Sequence, residues 1–221
     1  MDFSITILII IATSIVSVIA FNNQNLVNKL IFYPPAVSER NEWYRFFSCG
    51  VIHANVPHLI FNMYALYLFG TFVENKFTDI FQEKGRLLYL LMYVLALGAC
   101  MLPTYSKNKH NYNYRSLGAS GAVSAVVFAF VLFEPIRGLS LMFIPIYIAG
   151  FLFGLIYLAF SQYLDKRGGG NINHSAHIWG ALFGVAFIII ACRLFNGYPV
   201  LANFIEAVKN MSPSQIITFG P

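Results

Sequence analysis

Residues 116–133 read SLGASGAVSAVVFAFVLF, a run of 18 without a charged side chain. That is about the minimum length with which a helix crosses a hydrocarbon core of roughly 30 Å. The run is closed by Glu134-Pro135, where the residue before proline disfavours helix. A helix opening near Gly118 therefore holds about 16 residues and reaches about 24 Å at about 1.5 Å per residue. Its first turn, Gly118-Ala119-Ser120-Gly121, is thus predicted to lie below the membrane surface.

Working outward, five more windows contain no Asp, Glu, Lys or Arg: 3–28, 46–73, 87–106, 138–164 and 168–192. The 14 basic and 9 acidic residues all fall outside the windows. Only 10% of the chain is charged, against about 25% in a soluble domain, and the mean hydropathy is +0.66. The pattern predicts an all-α membrane protein, a single domain over residues 1–221 with one bundle of six transmembrane helices. They are placed at about 3–21, 57–74, 87–105, 118–133, 139–163 and 175–192.

The first helix is expected to be a span rather than a cleavable signal. Met1-Asp2 supplies no positive segment, and the apolar run Phe3 to Phe21 exceeds the usual h-region of about 7–15 residues. The loop 22–56 is too long for a simple connection, and loops of that size commonly carry function. Its Trp43, Tyr44, Phe46 and Phe47 suit the headgroup layer, so part of it is expected to be interfacial. A charged, glycine-rich link, Asp165-Lys166-Arg167-Gly168-Gly169-Gly170, follows the fifth helix. Val200 to Met211 forms an amphipathic stretch suited to the membrane surface.

The other classes fit poorly. Basic residues are scattered over short loops and form no stripe, so no nucleic-acid partner is expected. Cys49, Cys100 and Cys192 are odd in number and imply no disulfide framework or metal knuckle. His53, His58, His174 and His177 invite a metal reading, yet there is no His-Glu-x-x-His and no carboxylate in the windows; neither metal nor cofactor is expected. His53 and His174 read as structural. Orientation is weakly encoded, with six basic residues on the N-terminal side and eight opposite.

Polar groups inside spans are functional candidates by default. The second, fourth and sixth helices run parallel, so their N-terminal ends share one face. The second opens with His53-Ala54-Asn55-Val56-Pro57-His58 and reaches Asn62; the sixth opens with His174-Ser175-Ala176-His177. Acyl transfer needs a hydroxyl beside a base and donors around the oxyanion. Ser120 is the candidate nucleophile and His177 its base, with the Ser120 backbone N–H, His58 and Asn62 as oxyanion donors. Without a carboxylate in the spans, a dyad is expected. His177, Gly180, Ala181 and Gly184 make a small-residue stripe that admits a close neighbouring helix.

With these motifs assembled, the chain resembles the rhomboid family of intramembrane serine proteases. The family pattern places Gly-x-Ser-Gly at the start of the fourth helix, Ala-His-x-x-Gly in the sixth and His-x-x-x-Asn in the second. Here they are Gly118 to Gly121, Ala176 to Gly180 and His58 to Asn62, and the resemblance covers about residues 40 to 190. It implies a rhomboid-like bundle with a long interfacial first loop. The implied activity is a serine endopeptidase cutting transmembrane protein substrates within or beside their spans, with a small residue before the scissile bond.

The same resemblance gives Ser120 as nucleophile, His177 as base, and His58 and Asn62 as oxyanion partners. Arg45 matches the arginine of a Trp-Arg pair in the first loop, with Tyr44 in place of the Trp. Glu74 matches a structural acidic position, and the fifth helix with Gly168 to Gly170 matches a substrate gate and cap. Ser124 stands where an aromatic residue often packs on the catalytic imidazole. The alternative is a catalytically silent relative that binds transmembrane helices. The expected location is the plasma (inner) membrane of a minimal bacterial enzyme, N-terminus cytoplasmic and site opening to the other side.

Overall fold

The computed structural model describes residues 4–140, 145–168 and 172–219. The chain is mostly helical. Helix α1 spans Ile5–Phe21, and three short helices follow: α2 Gln24–Leu30, α3 Pro34–Arg40 and α4 Arg45–Ser48. Then come α5 Val56–Phe81, α6 Gly85–Ala99, α7 Leu102–Asn108 and α8 Ser120–Phe133. Strands β1 Gly138–Leu139 and β2 Ile146–Ala149 precede α9 Gly150–Arg167, α10 His174–Phe195 and α11 Val200–Lys209, and β3 Ile217–Phe219 follows. Among the described residues, two helical stretches are long and apolar enough to cross a membrane, Val56–Asn108 and His174–Phe195; α1 and α8 are apolar but shorter.

Helix α8 is the axis of the bundle. Eleven of its 14 residues are buried, as expected of a helix that is apolar all round. It packs against α5, α6, α9, α10 and α11. Its closest neighbour is α10, because a Cβ at Gly180 would collide with the Gly121 carbonyl and one at Gly184 with the Ala125 backbone. Two helical backbones therefore touch directly over about one turn, as in small-xxx-small packing.

Helix α1 is inverted relative to a soluble helix. Its buried residues are Thr6, Thr13, Ser17 and Ala20, while Leu8, Ile11, Ile15, Val18 and Ile19 are exposed. Polar bonds dock it on α5. Buried Glu74 accepts from the Ser4 hydroxyl at 2.7 Å and from the backbone N–H groups of Ile5 at 2.7 Å and Thr6 at 2.9 Å. A carboxylate at a helix N-terminus satisfies free N–H groups and complements the helix dipole. Glu74 lies inside α5, which runs seven residues further to Phe81.

The first loop is a folded scaffold. Buried Arg45 donates through Nη1 to the carbonyls of Asn28 at 3.0 Å and Ile31 at 2.7 Å, and through Nε to Glu42. Burial raises the Glu42 pKa, but the bond to Arg45 and the charges of Arg45 and Arg40 outweigh it, so the carboxyl lies below its ordinary value. The loop in turn holds the segment entering α8. Phe32 and Ser116 exchange backbone bonds of 2.9 and 3.1 Å, and Gly118 N–H donates to the Cys49 carbonyl at 2.9 Å.

The expected helix over 139–163 is corrected. Residues 146–149 form the middle strand of a small antiparallel sheet ordered β1-β2-β3, with Ile148 opposite both Leu139 and Ile217. The physical reason is Pro145, which cannot donate to a helix interior, followed by Ile146-Tyr147-Ile148, a run with strand propensity. Helix α9 begins only at Gly150.

Candidate active site

The N-terminal ends of α5, α8 and α10 line one cavity of about 730 Å³, and His58, Asn62, Ser120 and His177 all border it. Ser120 is the first residue of α8. In that first turn, the N–H groups of Ser120 and Gly121 have no acceptor within the helix and carry the positive end of its dipole. Gly118 adopts φ +116°, in the region that disfavours side chains. A Cβ there would stand 2.7 Å from His58 Cε1. The turn before the serine thus needs glycine twice over, for its backbone angle and for the histidine beside it.

His177 Nε2 and Ser120 Oγ are 2.7 Å apart, within the reach of about 2.6–3.2 Å that proton transfer requires. The α8–α10 backbone contact brings them together, since Gly121 follows Ser120 and Gly180 lies three residues after His177. Asn173 caps α10 by accepting from Ala176 N–H at 3.1 Å, and its amide donates to Thr104 at 3.1 Å. Asn62 is buried, and its Nδ2 donates to the His58 carbonyl at 2.9 Å. An amide nitrogen has two hydrogens, so one remains for another acceptor.

His53 supports this site from outside the cavity. Its Nε2 accepts from Ala119 N–H at 3.4 Å, which leaves Nδ1 to donate to Ser17 Oγ at 3.0 Å; the Ser17 hydroxyl donates on to the Val51 carbonyl at 3.0 Å. Its ring packs edge to face on His58 at 4.9 Å. Burial, and then the nearby His58, push its pKa down to about 4. It is a neutral strut between α1, the first loop and the turn before Ser120. His174 packs edge to face on His177 at 5.8 Å, with its Nδ1 buried and without a hydrogen-bond partner among the described residues. No group of three or more metal-binding side chains occurs among the described residues.

One neighbour of the pair was not read from the sequence. Tyr157 of α9 lies nearly parallel to the His177 ring, 16° between planes and 6.3 Å between centroids. Its hydroxyl bonds Ser124 Oγ at 2.9 Å. The available signal was spacing, because Gly150, Gly154 and Ser161 are the buried residues of α9 and Tyr157 falls on their face. Of the link assigned as a cap, Gly169 and Gly170 lie outside the described residues.

The Rhomboid domain family model matches residues 40–194. RHOMBOID-like protein 12, mitochondrial, of Arabidopsis thaliana is 30% identical over 143 residues, covering 58% of this chain and 40% of that protein. Presenilin-associated rhomboid-like protein A, mitochondrial, of Danio rerio is 27% identical over 172 residues, covering 74% and 42%. Rhomboid-like protein 11, chloroplastic, of Arabidopsis thaliana is 29% identical over 154 residues, covering 66% and 51%.

The chain spans about half the length, or less, of these relatives. These relatives are named as mitochondrial or chloroplastic proteins, which overturns the expectation of a plasma (inner) membrane with a cytoplasmic N-terminus. The physical reason for the misreading is that hydropathy reports a bilayer without saying which one.

Proposed function

The chain belongs to the rhomboid family, and from that premise we propose that it is a membrane-embedded serine endopeptidase working through a Ser120–His177 dyad. The observation that carries the reading is the 2.7 Å contact between His177 Nε2 and Ser120 Oγ at the border of an open cavity. Helices α1, α5, α6, α8, α9 and α10 are the six spans, and residues 22–55 form the interfacial loop. Transmembrane proteins are the substrates, and α9 is the wall they pass.

In this mechanism Ser120 Oγ attacks the scissile carbonyl carbon while its proton passes to His177 Nε2. The carbonyl electron pair moves to oxygen, and that oxyanion is met by the Ser120 N–H, the free Asn62 N–H and His58. Collapse breaks the C–N bond, and His177 returns its proton to the leaving amine. Water then attacks the acyl carbon, giving a proton to His177; collapse breaks the bond from that carbon to Ser120 Oγ, His177 returns the proton to Oγ, and the acid is released. The short α8, 14 residues long and about 21 Å, sets the serine at depth, where only protein-lined space admits water.

The test is cleavage of a model transmembrane substrate by purified chain in detergent, with fluorophosphonate capture at Ser120. Wild type should cleave and be captured; Ser120→Ala and His177→Ala should do neither. Unchanged cleavage in both variants refutes the dyad. A wild-type chain that binds the substrate without capture or cleavage indicates the silent binding protein.

A further inference from the structure

We propose that Tyr157 is a positioning residue for His177, anchored by Ser124, so that the alignment of the dyad depends on where α9 sits. The proposal rests on the protease reading and adds a residue to it. Ser124 lies one helical turn beyond Ser120 on α8, and its small side chain shares a hydrogen bond of 2.9 Å with the Tyr157 hydroxyl.

The same ring faces the His177 imidazole at 16° and packs on Phe128 at 5.7 Å between centroids. One turn earlier on α9, a Cβ at Gly154 would lie 3.3 Å from Phe128 Cε1, so glycine lets α9 approach this close. One side chain therefore touches α8 through its hydroxyl and α10 through its face.

His177 needs this support. An imidazole has two soft torsions, and Nε2 meets Ser120 Oγ only in a narrow range of them. A parallel ring at this spacing favours one orientation by offset stacking. In the family pattern an aromatic side chain at the position of Ser124 would come from α8 itself, which is fixed relative to Ser120. Here the ring comes from α9, so a displacement of α9 removes it from His177.

The experiment uses the full chain in detergent and compares Tyr157→Leu, Tyr157→Phe and the double variant Tyr157→Leu with Ser124→Tyr. Readouts are kcat and KM on the model substrate, the rate of fluorophosphonate capture, the unfolding midpoint, and the His177 Cε1–H resonance, which senses the ring current of its neighbour. Tyr157→Leu should lower kcat and the capture rate about tenfold, with KM within about twofold, and should shift the His177 resonance. Tyr157→Phe keeps the ring and should stay within about threefold of wild type. The double variant, which returns an aromatic ring to α8, should recover most of the loss.

A folded Tyr157→Leu with wild-type kcat and an unmoved resonance overturns the proposal. So does a loss of activity that tracks a lowered midpoint while the resonance stays in place. If wild type is neither captured nor active, the protease reading fails, and the resonance in Tyr157→Leu still decides the stack: unmoved, it overturns the contact.

Discussion

Replacing Gly180 by alanine puts one methyl group where α10 meets the Gly121 carbonyl. Carbon and oxygen at rest need roughly 3.5 Å, so α10 must withdraw from α8 by on the order of 1 Å. Gly121 is adjacent to Ser120 and Gly180 is one turn from His177, so most of that withdrawal reaches the dyad. The 2.7 Å contact then opens to roughly 3.7 Å, beyond the reach of proton transfer. A displacement of this size costs about a hundredfold in rate. Alanine is also a better helix former than glycine by about 1 kcal/mol, so a loss cannot be assigned to weakening of α10 itself.

The assay is kcat on a transmembrane substrate together with the rate of Ser120 capture in detergent. Leu182→Ala, on the exposed side of α10, should remain within about twofold of wild type. A Gly180→Ala chain that folds and is captured at nearly the wild-type rate would show that the α8–α10 contact does not set the distance between serine and histidine.

Two further outcomes follow from the first loop. His53 has its pKa lowered from 6.5 to about 4, so between those values the unfolded chain binds a proton that the folded chain does not. Stability should therefore fall as pH drops from 6.5 towards 4, by at most ~3 kcal/mol from this group. Unfolding midpoints measured across that range should show a flatter acid limb in His53→Gln; equal limbs would contradict the buried neutral strut. Arg45→Lys replaces a planar fork that reaches Glu42, Asn28 and Ile31 with a single ammonium, and should cost about 1–3 kcal/mol. Trypsin should then cut at Lys29 well before the bundle unfolds, and unchanged resistance would refute the role.

The bundle was legible because charge exclusion is a strong signal. The residues facing the cavity were legible because three short motifs sit at the parallel ends of three helices. Chemistry-bearing side chains at such ends can only converge once the helices pack. Glu74 hides the true length of α5, since a charge closes the apolar window there. In fact α5 continues past Lys76 and Asp79 to Phe81, and Glu74 is satisfied by three donors, the Ser4 hydroxyl and the first two N–H groups of α1. The sheet escaped because β2 is only four residues long and its partner β3 lies about 70 residues away. A pairing that distant leaves no periodic trace in either segment. Tyr157 escaped for a related reason, since its role depends on the space left by Ser124 on another helix.

The inverted face of α1 bears on which substitutions the chain tolerates. In a bilayer, Leu8, Ile11, Ile15, Val18 and Ile19 are exposed to a medium as apolar as themselves, so exchanging one for another changes little. Thr6, Thr13 and Ser17 are the discriminating residues, because a larger or purely apolar group there loses a bond or the close approach to α5 and the first loop. Counting hydrophobic residues would therefore rank the positions of this helix in reverse order of importance. Its outer surface is free to drift while the Thr6 hydroxyl, bonded to Tyr89, and the Ser17 hydroxyl, bonded to Val51 and His53, hold its place.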